Sequence, residues 1–355
     1  MIMHPEIEGL KLNHRFLPKN ELKTFCREEI AENKNPVWKL DIFRFILDFL
    51  SDSEFIFQQT SGSTGIPKTI QLSKRAMLES AKMTTDFFQL KKLDNAVLCL
   101  PIKYIAGKMM VVRALFAELN LILIKPSGTP DFSNIGKIDF CAMVPMQAAN
   151  LLEQNKWPNI KTLILGGAET SPELTEKLQS VKTKIFETYG MAETCSHIVL
   201  KKINGKNPEE YFTALPGIRI SHDNRECLEI EAPFLNEKII TNDIVELVSE
   251  NKFRWIGRFD TIINSGGIKI QPEILEKKIT EILQKPCIII GKPDELLGQK
   301  IVLIVETEPE DPTIILEKLT PFFDKKMLPK TIRFMRELPR NKSFKIDRGE
   351  LKKII

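Results

Sequence analysis

The sequence predicts a mixed α/β protein, in which a large N-terminal domain with a mainly parallel sheet is followed by a small α+β C-terminal domain. Its 355 residues exceed what a single hydrophobic core usually organises. Between residues 54 and 188, short apolar runs alternate with helical patterns, as in parallel α/β sheets. After residue 260 the pattern changes to a compact succession of short strands and helices.

Composition and charge exclude several classes of protein. The chain has 51 basic and 47 acidic residues, and the net charge of +4 is too small to indicate a nucleic-acid-binding protein. No apolar run approaches the length of a membrane span, and the first residues lack the pattern of a secretory signal. The six scattered cysteines have no CxxC spacing, which indicates reduced thiols and a cytoplasmic location. The four histidines show no metal-ligand spacing.

A loop rich in glycine and hydroxyl side chains follows the first predicted strand of this pattern. Residues 54–58 alternate like a strand, and residues 73–88 have helical periodicity with Ser73 as the N-cap. Glycine lets the backbone approach a ligand, hydroxyl groups donate hydrogen bonds and lysine adds charge, so the loop between them predicts a polyphosphate site. It is not a Walker A loop, because Pro67 stands where that motif has glycine. The residues expected to contact phosphate are Thr60, Ser61, Gly62, Ser63, Thr64, Gly65 and Lys68.

The segments around this loop favour a parallel sheet flanked by helices. One helix is expected to begin at Ser171, with Pro172 in its first turn. Ligands of such sheets bind beyond the carboxyl ends of the strands. The loop at residues 60–68, residues 101–107 and residues 166–168 all follow strands, so we expect them to share one cleft. Strands are predicted at residues 96–100, 121–124, 140–144, 162–165 and 184–188, and helices at residues 35–50 and 109–119.

Side chains suited to a nucleotide follow the later strands. Tyr189 next to Gly190 offers an aromatic face to a base, and the Glu193 carboxylate is a hard oxygen ligand that suits Mg²⁺. Asp243 can accept two hydrogen bonds from ribose hydroxyls, with Arg258 to assist it. Each residue taken alone is more typical of a solvated turn or surface position, so the prediction depends on their order along the chain.

The pattern from residue 261 onward predicts a separate small domain. Residues 262–270 predict two short strands around a Gly-Gly turn. We place the boundary at residues 258–260, between a large domain of residues 1–257 and a small domain of residues 261–355. Further helices are predicted at residues 272–283 and 312–319, and further strands at residues 287–291, 300–306 and 331–335.

The order of these motifs resembles that of the adenylate-forming (acyl-activating) enzymes across nearly the whole chain. Several weak motifs in one order are far more specific than any of them alone. The resemblance implies an active site between a large domain and a small, mobile C-terminal domain. The matching segments are the loop at residues 60–68, Gly166-Gly167-Ala168, Tyr189-Gly190-Met191-Ala192-Glu193-Thr194, Asp243, Gly257-Arg258-Phe259-Asp260, Ser265-Gly266-Gly267 and residues 339–345.

The resemblance also implies a reaction. ATP and a carboxylic acid form an acyl-AMP and pyrophosphate, and a thiol, usually that of CoA, then displaces AMP. ATP, Mg²⁺ and CoA are therefore the implied cofactors and co-substrates. No side-chain nucleophile is needed, but charge that builds on phosphate oxygens must be neutralised by Mg²⁺ and a fixed lysine.

Each matching residue takes an implied role from the family. The loop with Lys68 would hold the β- and γ-phosphates, Glu193 would bind Mg²⁺, and Lys345 would be the lysine of the adenylation step. Gly167, Ala168 and Tyr189 would flank adenine, Gly190 would contact the nucleotide, and Thr194 would contact phosphate. The other implied roles are ribose binding for Asp243 and Arg258, domain rotation about Asp260, and a thiol path along Gly266 and Gly267.

Two features depart from the family pattern. Phe344 precedes Lys345, where the family usually has glycine, and this makes the segment stiffer. Only residues 1–59 precede the phosphate loop, whereas full-length members have a much larger N-terminal portion. We therefore expect a minimal version of the fold, in which the contacts of that portion are missing or come from a partner chain.

Residues 101–113 are the predicted acid pocket. Lys103 and Tyr104 replace the aromatic–histidine pair of many family members, and Arg113 lies on the helix that follows. The stretch resembles that of the o-succinylbenzoate–CoA ligases of menaquinone synthesis, including this arginine. Their substrate keeps a benzoate carboxylate after its succinyl carboxylate is activated, and Lys103 or Arg113 is the cation to pair with it. The predicted acid-binding residues are Lys103, Tyr104, Arg113, Gly190 and Met191.

The sequence leaves other functions open. One alternative is the same chemistry on another aryl or acyl acid. A second is a pantetheinylated carrier protein as the acceptor, which a basic patch that binds an acidic helix would favour. A non-catalytic nucleotide-binding or interaction protein is a third alternative. The retention of Lys68, Glu193, Asp243, Arg258 and Lys345 argues against it. The oligomeric state stays open too, a homodimer included.

Overall fold

Two compact units make up the chain. The computed structural model describes residues 7–59, 68–340 and 346–355. The sequence predicts a large domain at residues 1–257, a hinge at residues 258–260 and a small mobile domain at residues 261–355. These limits include the movement of the small domain, and they stay a prediction. By its internal contacts the chain divides into unit 1, Met1–Arg219 with Glu231–Ile239, and unit 2, Ile220–Ile230 with Ile240–Ile355.

Unit 1 is built on a mainly parallel sheet flanked by helices, as the sequence predicts. Its strands are β1 (Gly9–Leu12), β2 (Arg15–Pro18), β3 (Phe55–Gln59), β4 (Thr69–Ser73), β5 (Asn95–Leu98), β6 (Asn120–Leu123), β7 (Ile138–Met143), β8 (Ile160–Leu165), β9 (Lys184–Gly190), β10 (His197–Lys202) and β11 (Phe212–Ala214). Its helices are α1 (Lys19–Glu32), α2 (Val37–Phe49), α3 (Lys74–Phe88), α4 (Ile105–Ala117), α5 (Pro145–Glu153) and α6 (Pro172–Lys177). Strands β9, β8, β7, β5, β6 and β1 are parallel neighbours, and β2, β10 and β11 pair antiparallel at the two ends.

The predicted elements of unit 1 are largely confirmed, with two corrections. The Ser73 and Ser171 side chains accept N–H groups of their helices, at 3.4 Å from Ala76 and 3.1 Å from Leu174, so both N-caps are confirmed. The prediction that the phosphate loop leads directly into a helix is wrong, because β4 intervenes and pairs antiparallel with β3. Helix α4 begins at Ile105, earlier than predicted, since no side-chain cap marks its start.

The core of unit 1 lies between the sheet and its helices. Every residue of β7 is buried, as expected for a parallel strand covered on both faces. All six cysteines of the chain are buried and unpaired, in keeping with the predicted reduced thiols. Among the described residues, no helix is both long and apolar enough to cross a membrane.

The described part of unit 2 contains mainly antiparallel strands, with one parallel pair, and three α-helices. The helices predicted at residues 272–283 and 312–319 are confirmed, whereas the helix Arg348–Ile354 was not predicted. Two strands, Ile263–Ser265 and Ile268–Ile270, flank the predicted turn, in which Gly266 and Gly267 have φ of 55° and 80°. The strands of this unit are β12 (Arg219–His222), β13 (Cys227–Glu231), β14 (Ile239–Ser249), β15 (Lys252–Arg258), β16 (Ile263–Ser265), β17 (Ile268–Ile270), β18 (Cys287–Asp294), β19 (Gly298–Glu306) and β20 (Thr331–Met335), and its helices are α7 (Pro272–Leu283), α8 (Pro312–Leu319) and α9 (Arg348–Ile354).

Candidate active site

Three predicted ligand segments lie at the carboxyl edge of the unit 1 sheet. Strands β5, β7, β8 and β9 are parallel neighbours, so residues 101–107 and 166–168 follow strand ends on the same edge at which residues 189–194 end β9 and continue beyond it. The Gly166 N–H donates to the Met143 carbonyl at 3.1 Å, which holds the turn after β8 against the end of β7. Residues 101–107 and 166–168 are two of the three segments expected to share a cleft; most of the third, the loop at residues 60–68, lies outside the described residues, so the shared cleft stays a prediction.

The base of the phosphate loop is tied to the predicted acid pocket. The Gln58 side chain donates from Nε2 to the Lys103 carbonyl at 3.0 Å, and Lys108 Nζ donates to the Phe57 carbonyl at 3.0 Å. Lys68, where the described chain resumes, is exposed. The other predicted phosphate contacts, Thr60, Ser61, Gly62, Ser63, Thr64 and Gly65, lie outside the described residues and stay predictions.

The turn between β9 and β10 holds Glu193 at the surface. A Cβ on Gly190 would lie 2.3 Å from the Ser196 carbonyl oxygen, so only glycine allows the two strands to approach here. The Thr194 hydroxyl lies 2.6 Å from the same oxygen and accepts the Met191 N–H at 3.0 Å, and the side chain is buried. Thr194 therefore builds the turn in this structure, and its predicted phosphate contact stays a prediction. Glu193 is exposed and can reach a cation.

The predicted adenine side lies next to this turn. Gly167 has φ of 85°, a left-handed conformation that favours glycine, and both it and Ala168 are exposed. The Tyr189 ring lies near the end of β9, with its centroid 6.3 Å from that of Phe212. Phe212 was not predicted, because a single phenylalanine outside any motif carries no recognisable signal.

Arg113 is a fully buried cation in the third turn of α4. It is 1% exposed, and no Asp or Glu in the described chain lies within ion-pairing distance of it. It donates to Ser196 Oγ at 2.5 Å and more weakly to the Met110 sulfur at 3.8 Å, while its Nε has no partner there. Burial lowers its pKa to about 9, so the guanidinium stays protonated at pH 7. Buried charges are normally paired, so this one indicates a place for an anion.

Lys103, the other candidate cation, has a different environment. Its side chain is exposed, with Nζ 4.8 Å from the centre of the Tyr104 ring. An exposed ammonium group keeps its hydration and gains little from a carboxylate. Burial therefore favours Arg113 over Lys103 as the partner of a second carboxylate, an assignment that stays a prediction.

Unit 2 brings together the predicted ribose-binding residues. Asp243 and Arg258 are directly opposite in the β14–β15 ladder, with 3.5 Å between Oδ1 and a guanidinium nitrogen. The Trp255 indole N–H donates to the same carboxylate at 3.2 Å, so Trp255 joins the group although the sequence did not predict it. Asp260 accepts two hydrogen bonds of 2.8 Å from Arg258, which lower the pKa of its carboxyl group. Its hinge role stays a prediction.

The described residues on either side of the predicted adenylation lysine pair with one another. Arg340 and Ile346 form an isolated bridge, and the Asp347 N–H donates to the Pro339 carbonyl at 2.8 Å. Residues 341–345, Lys345 among them, lie outside the described residues. The predicted roles of Lys345, Gly266 and Gly267 stay predictions.

Comparisons with known proteins place the chain in a family. Residues 47–223 match the sequence model of the AMP-binding enzymes. The chain is 26% identical over 330 residues to 2-succinylbenzoate–CoA ligase of Lactococcus lactis. The matched region covers 86% of this chain and 72% of that protein. It is 27% identical over 268 residues to the Escherichia coli protein of the same name, covering 71% of this chain and 58% of that protein.

Solved structures share the fold. The chain is 31% identical to an acyl-CoA synthetase (AMP-forming)/AMP-acid ligase II-like protein from Dyadobacter fermentans, with a TM-score of 0.61 and coverage of 94% of this chain and 98% of that chain. It is 18% identical to o-succinylbenzoate CoA synthetase from Bacillus subtilis in complex with an acyl-adenylate, with a TM-score of 0.76 and coverage of 99% and 96%. This chain belongs to the AMP-binding enzyme family.

Proposed function

We propose that this protein is an ATP-dependent acid–CoA ligase that acts on o-succinylbenzoate and supplies menaquinone synthesis in the cytoplasm. The observation that carries the proposal is Arg113, a buried guanidinium without a carboxylate partner in the described chain. Family membership supports the adenylation chemistry, and the names of the Lactococcus and Escherichia relatives support the acid. The buried, reduced cysteines fit the location.

The reaction has two balanced steps. An oxygen of the succinyl carboxylate attacks the α-phosphorus of ATP, and the bond from that phosphorus to the pyrophosphate oxygen breaks. The CoA thiolate then attacks the acyl carbon, and AMP leaves with the electron pair of the carbon–oxygen bond. The exposed Glu193 carboxylate fits Mg²⁺, which when bound neutralises phosphate charge.

Arg113 explains why a dicarboxylic acid suits the site. The benzoate carboxylate of o-succinylbenzoate stays charged throughout the reaction, so its transfer from water into the protein is costly unless a cation receives it. Arg113 is already buried, and a guanidinium can donate two parallel hydrogen bonds to one carboxylate. An acid without the second carboxylate would leave that charge unpaired.

Asp243→Asn is expected to weaken MgATP binding about tenfold, because an amide offers the ribose hydroxyls one neutral acceptor in place of a charged carboxylate. Asparagine keeps an oxygen for the Trp255 indole N–H, so the free energy of unfolding should change little. Titration calorimetry with MgATP measures the effect. Glu246→Gln, an equal charge change at an exposed position of β14, is the control. Equal affinities of the Asp243→Asn variant and the wild type would contradict the ribose assignment.

The proposal is tested by pyrophosphate release from MgATP, measured with o-succinylbenzoate, benzoate, succinate and a medium-chain fatty acid, each with and without CoA. Release with o-succinylbenzoate, and a CoA thioester when CoA is added, is the expected result. Release with another acid would keep the ligase and overturn the substrate. Release without a thioester would favour a carrier-protein acceptor. No release with any acid, despite MgATP binding, would favour a non-catalytic nucleotide-binding protein.

A further inference from the structure

A buried chain of hydrogen bonds leads away from Arg113. Its guanidinium donates to Ser196 Oγ at 2.5 Å, and Ser196 Oγ lies 3.3 Å from His197 Nδ1. His197 Nε2 lies 3.3 Å from Thr84 Oγ1, which donates to the Ser80 carbonyl at 3.1 Å. Arg113, His197 and Thr84 are buried, so these polar groups depend on one another for partners. We call this series the relay.

The chemistry of the donors fixes the direction of the relay. A guanidinium only donates, so Ser196 accepts from Arg113 and has its own O–H left to donate to His197 Nδ1. Burial, and secondly the charge on Arg113, hold the pKa of His197 well below its usual value, so the imidazole is neutral at pH 7. A neutral imidazole that accepts at Nδ1 donates at Nε2, and its acceptor is Thr84. The hydroxyl of Thr84 then donates to the backbone of α3.

The relay fixes Arg113 at one end of the guanidinium only. The Nε group has no partner among the described residues, and the described contact of the other terminal nitrogen is a weak one to sulfur. An arginine with a purely structural role would have its N–H groups satisfied and its charge paired. The buried Nε–H is therefore left to donate to an anion, such as the second carboxylate of the acid.

We propose that His197 is a positioning residue for acid recognition, which acts through Ser196 to hold the Arg113 guanidinium in the orientation that receives the second carboxylate of the acid. This inference rests on the proposed function, and it assigns the selection of dicarboxylic acids to a histidine that contacts neither the acid nor the nucleotide. His197 was not predicted, because a single histidine outside any motif carries no recognisable signal.

The hydrogen-bond direction is tested first, on the protein alone. Correlation spectra of ¹⁵N-labelled imidazole groups distinguish the two neutral tautomers from the imidazolium, and comparison with His197→Gln assigns His197 among the four histidines. We expect His197 to be the Nε2–H tautomer at pH 7. In Ser196→Ala, which removes the donor to Nδ1, this tautomer should no longer be favoured. An Nδ1–H tautomer or an imidazolium in the wild type would overturn the relay, whichever acid the enzyme uses.

The functional consequence is tested by a ratio of specificities. The kcat/KM for o-succinylbenzoate is divided by that for 4-oxo-4-phenylbutanoate, which has the same succinyl arm without the benzoate carboxylate. His197→Leu is expected to lower this ratio about tenfold, and His197→Gln, which keeps one acceptor and one donor, to restore most of it. Loss of a merely structural histidine would change kcat/KM by the same factor for both acids. An unchanged ratio in His197→Leu would therefore overturn the proposal.

Helix α3 offers a matched pair of variants. Thr84→Val removes the acceptor of His197, whereas Thr85→Val removes a hydroxyl that donates within the same helix, to the Lys82 carbonyl at 2.9 Å. Both side chains are buried, so the costs in stability should be similar. We expect the ratio to fall in Thr84→Val and not in Thr85→Val, and equal ratios would count against the relay. If the wild type does not use o-succinylbenzoate at all, the proposed function fails, and the tautomer measurement still decides the relay.

Discussion

Arg113→Met is expected to make the protein more stable and to remove its preference for a dicarboxylic acid. Methionine fills a similar volume without a charge, and replacing buried charges by apolar side chains stabilises proteins by about 1–4 kcal/mol in favourable cases. Ser196 keeps His197 as a hydrogen-bond partner in the variant. The kcat/KM for o-succinylbenzoate should fall by about 10²–10³, because the benzoate carboxylate would then be buried without a cation.

Denaturant unfolding and steady-state kinetics measure the two effects. Arg44→Met is the control for stability, since Arg44 is exposed beside Asp41 and its loss should change the free energy of unfolding by less than about 0.5 kcal/mol. Arg113→Lys keeps a charge without the planar pair of donors and should have an intermediate kcat/KM. A less stable Arg113→Met variant would show that the guanidinium is compensated in the free protein. Unchanged kcat/KM would remove Arg113 from the acid site.

Lys345→Ala is expected to lower the rate of acyl-AMP formation by about 10²–10³ and to leave MgATP affinity nearly unchanged. The carboxylate and the α-phosphate are both anionic, and charge grows on the phosphate oxygens as they react, so a fixed cation acts mainly on the transition state. Pyrophosphate release measures the rate, and titration calorimetry measures the affinity.

Lys342→Ala is the matched control, because it removes the same charge from the same basic stretch of sequence. Equal losses in the two variants would indicate a general effect of positive charge rather than a catalytic lysine. An unchanged rate in Lys345→Ala would overturn the role that the family resemblance gives this residue. A fall in MgATP affinity that accounts for the whole effect would make Lys345 a binding residue.

Local sequence signals predicted those elements whose boundaries are set locally. The helix at Pro272–Leu283 begins with proline in its first turn and is amphipathic, and its predicted bounds are confirmed. The Ser171 cap is confirmed for the same reason, since the capping side chain is only three residues from the N–H that it accepts. Strand β4 was missed because a short, half-exposed polar segment becomes a strand only through its pairing with β3.

The sequence by itself determined the α/β class and the order of the motifs, and with them membership of the AMP-binding family. These features depend on local periodicity and on residue types at short spacings. It left Lys103 and Arg113 as equal candidates, because burial cannot be read from residue type. Only the tertiary structure decided that Lys103 is exposed and Arg113 is buried. Only the tertiary structure places Ser196, His197 and Thr84 in one chain of hydrogen bonds that begins at Arg113. The physical reason is that desolvation and hydrogen-bond direction depend on segments far apart in the chain, as α3, α4 and β10 are here.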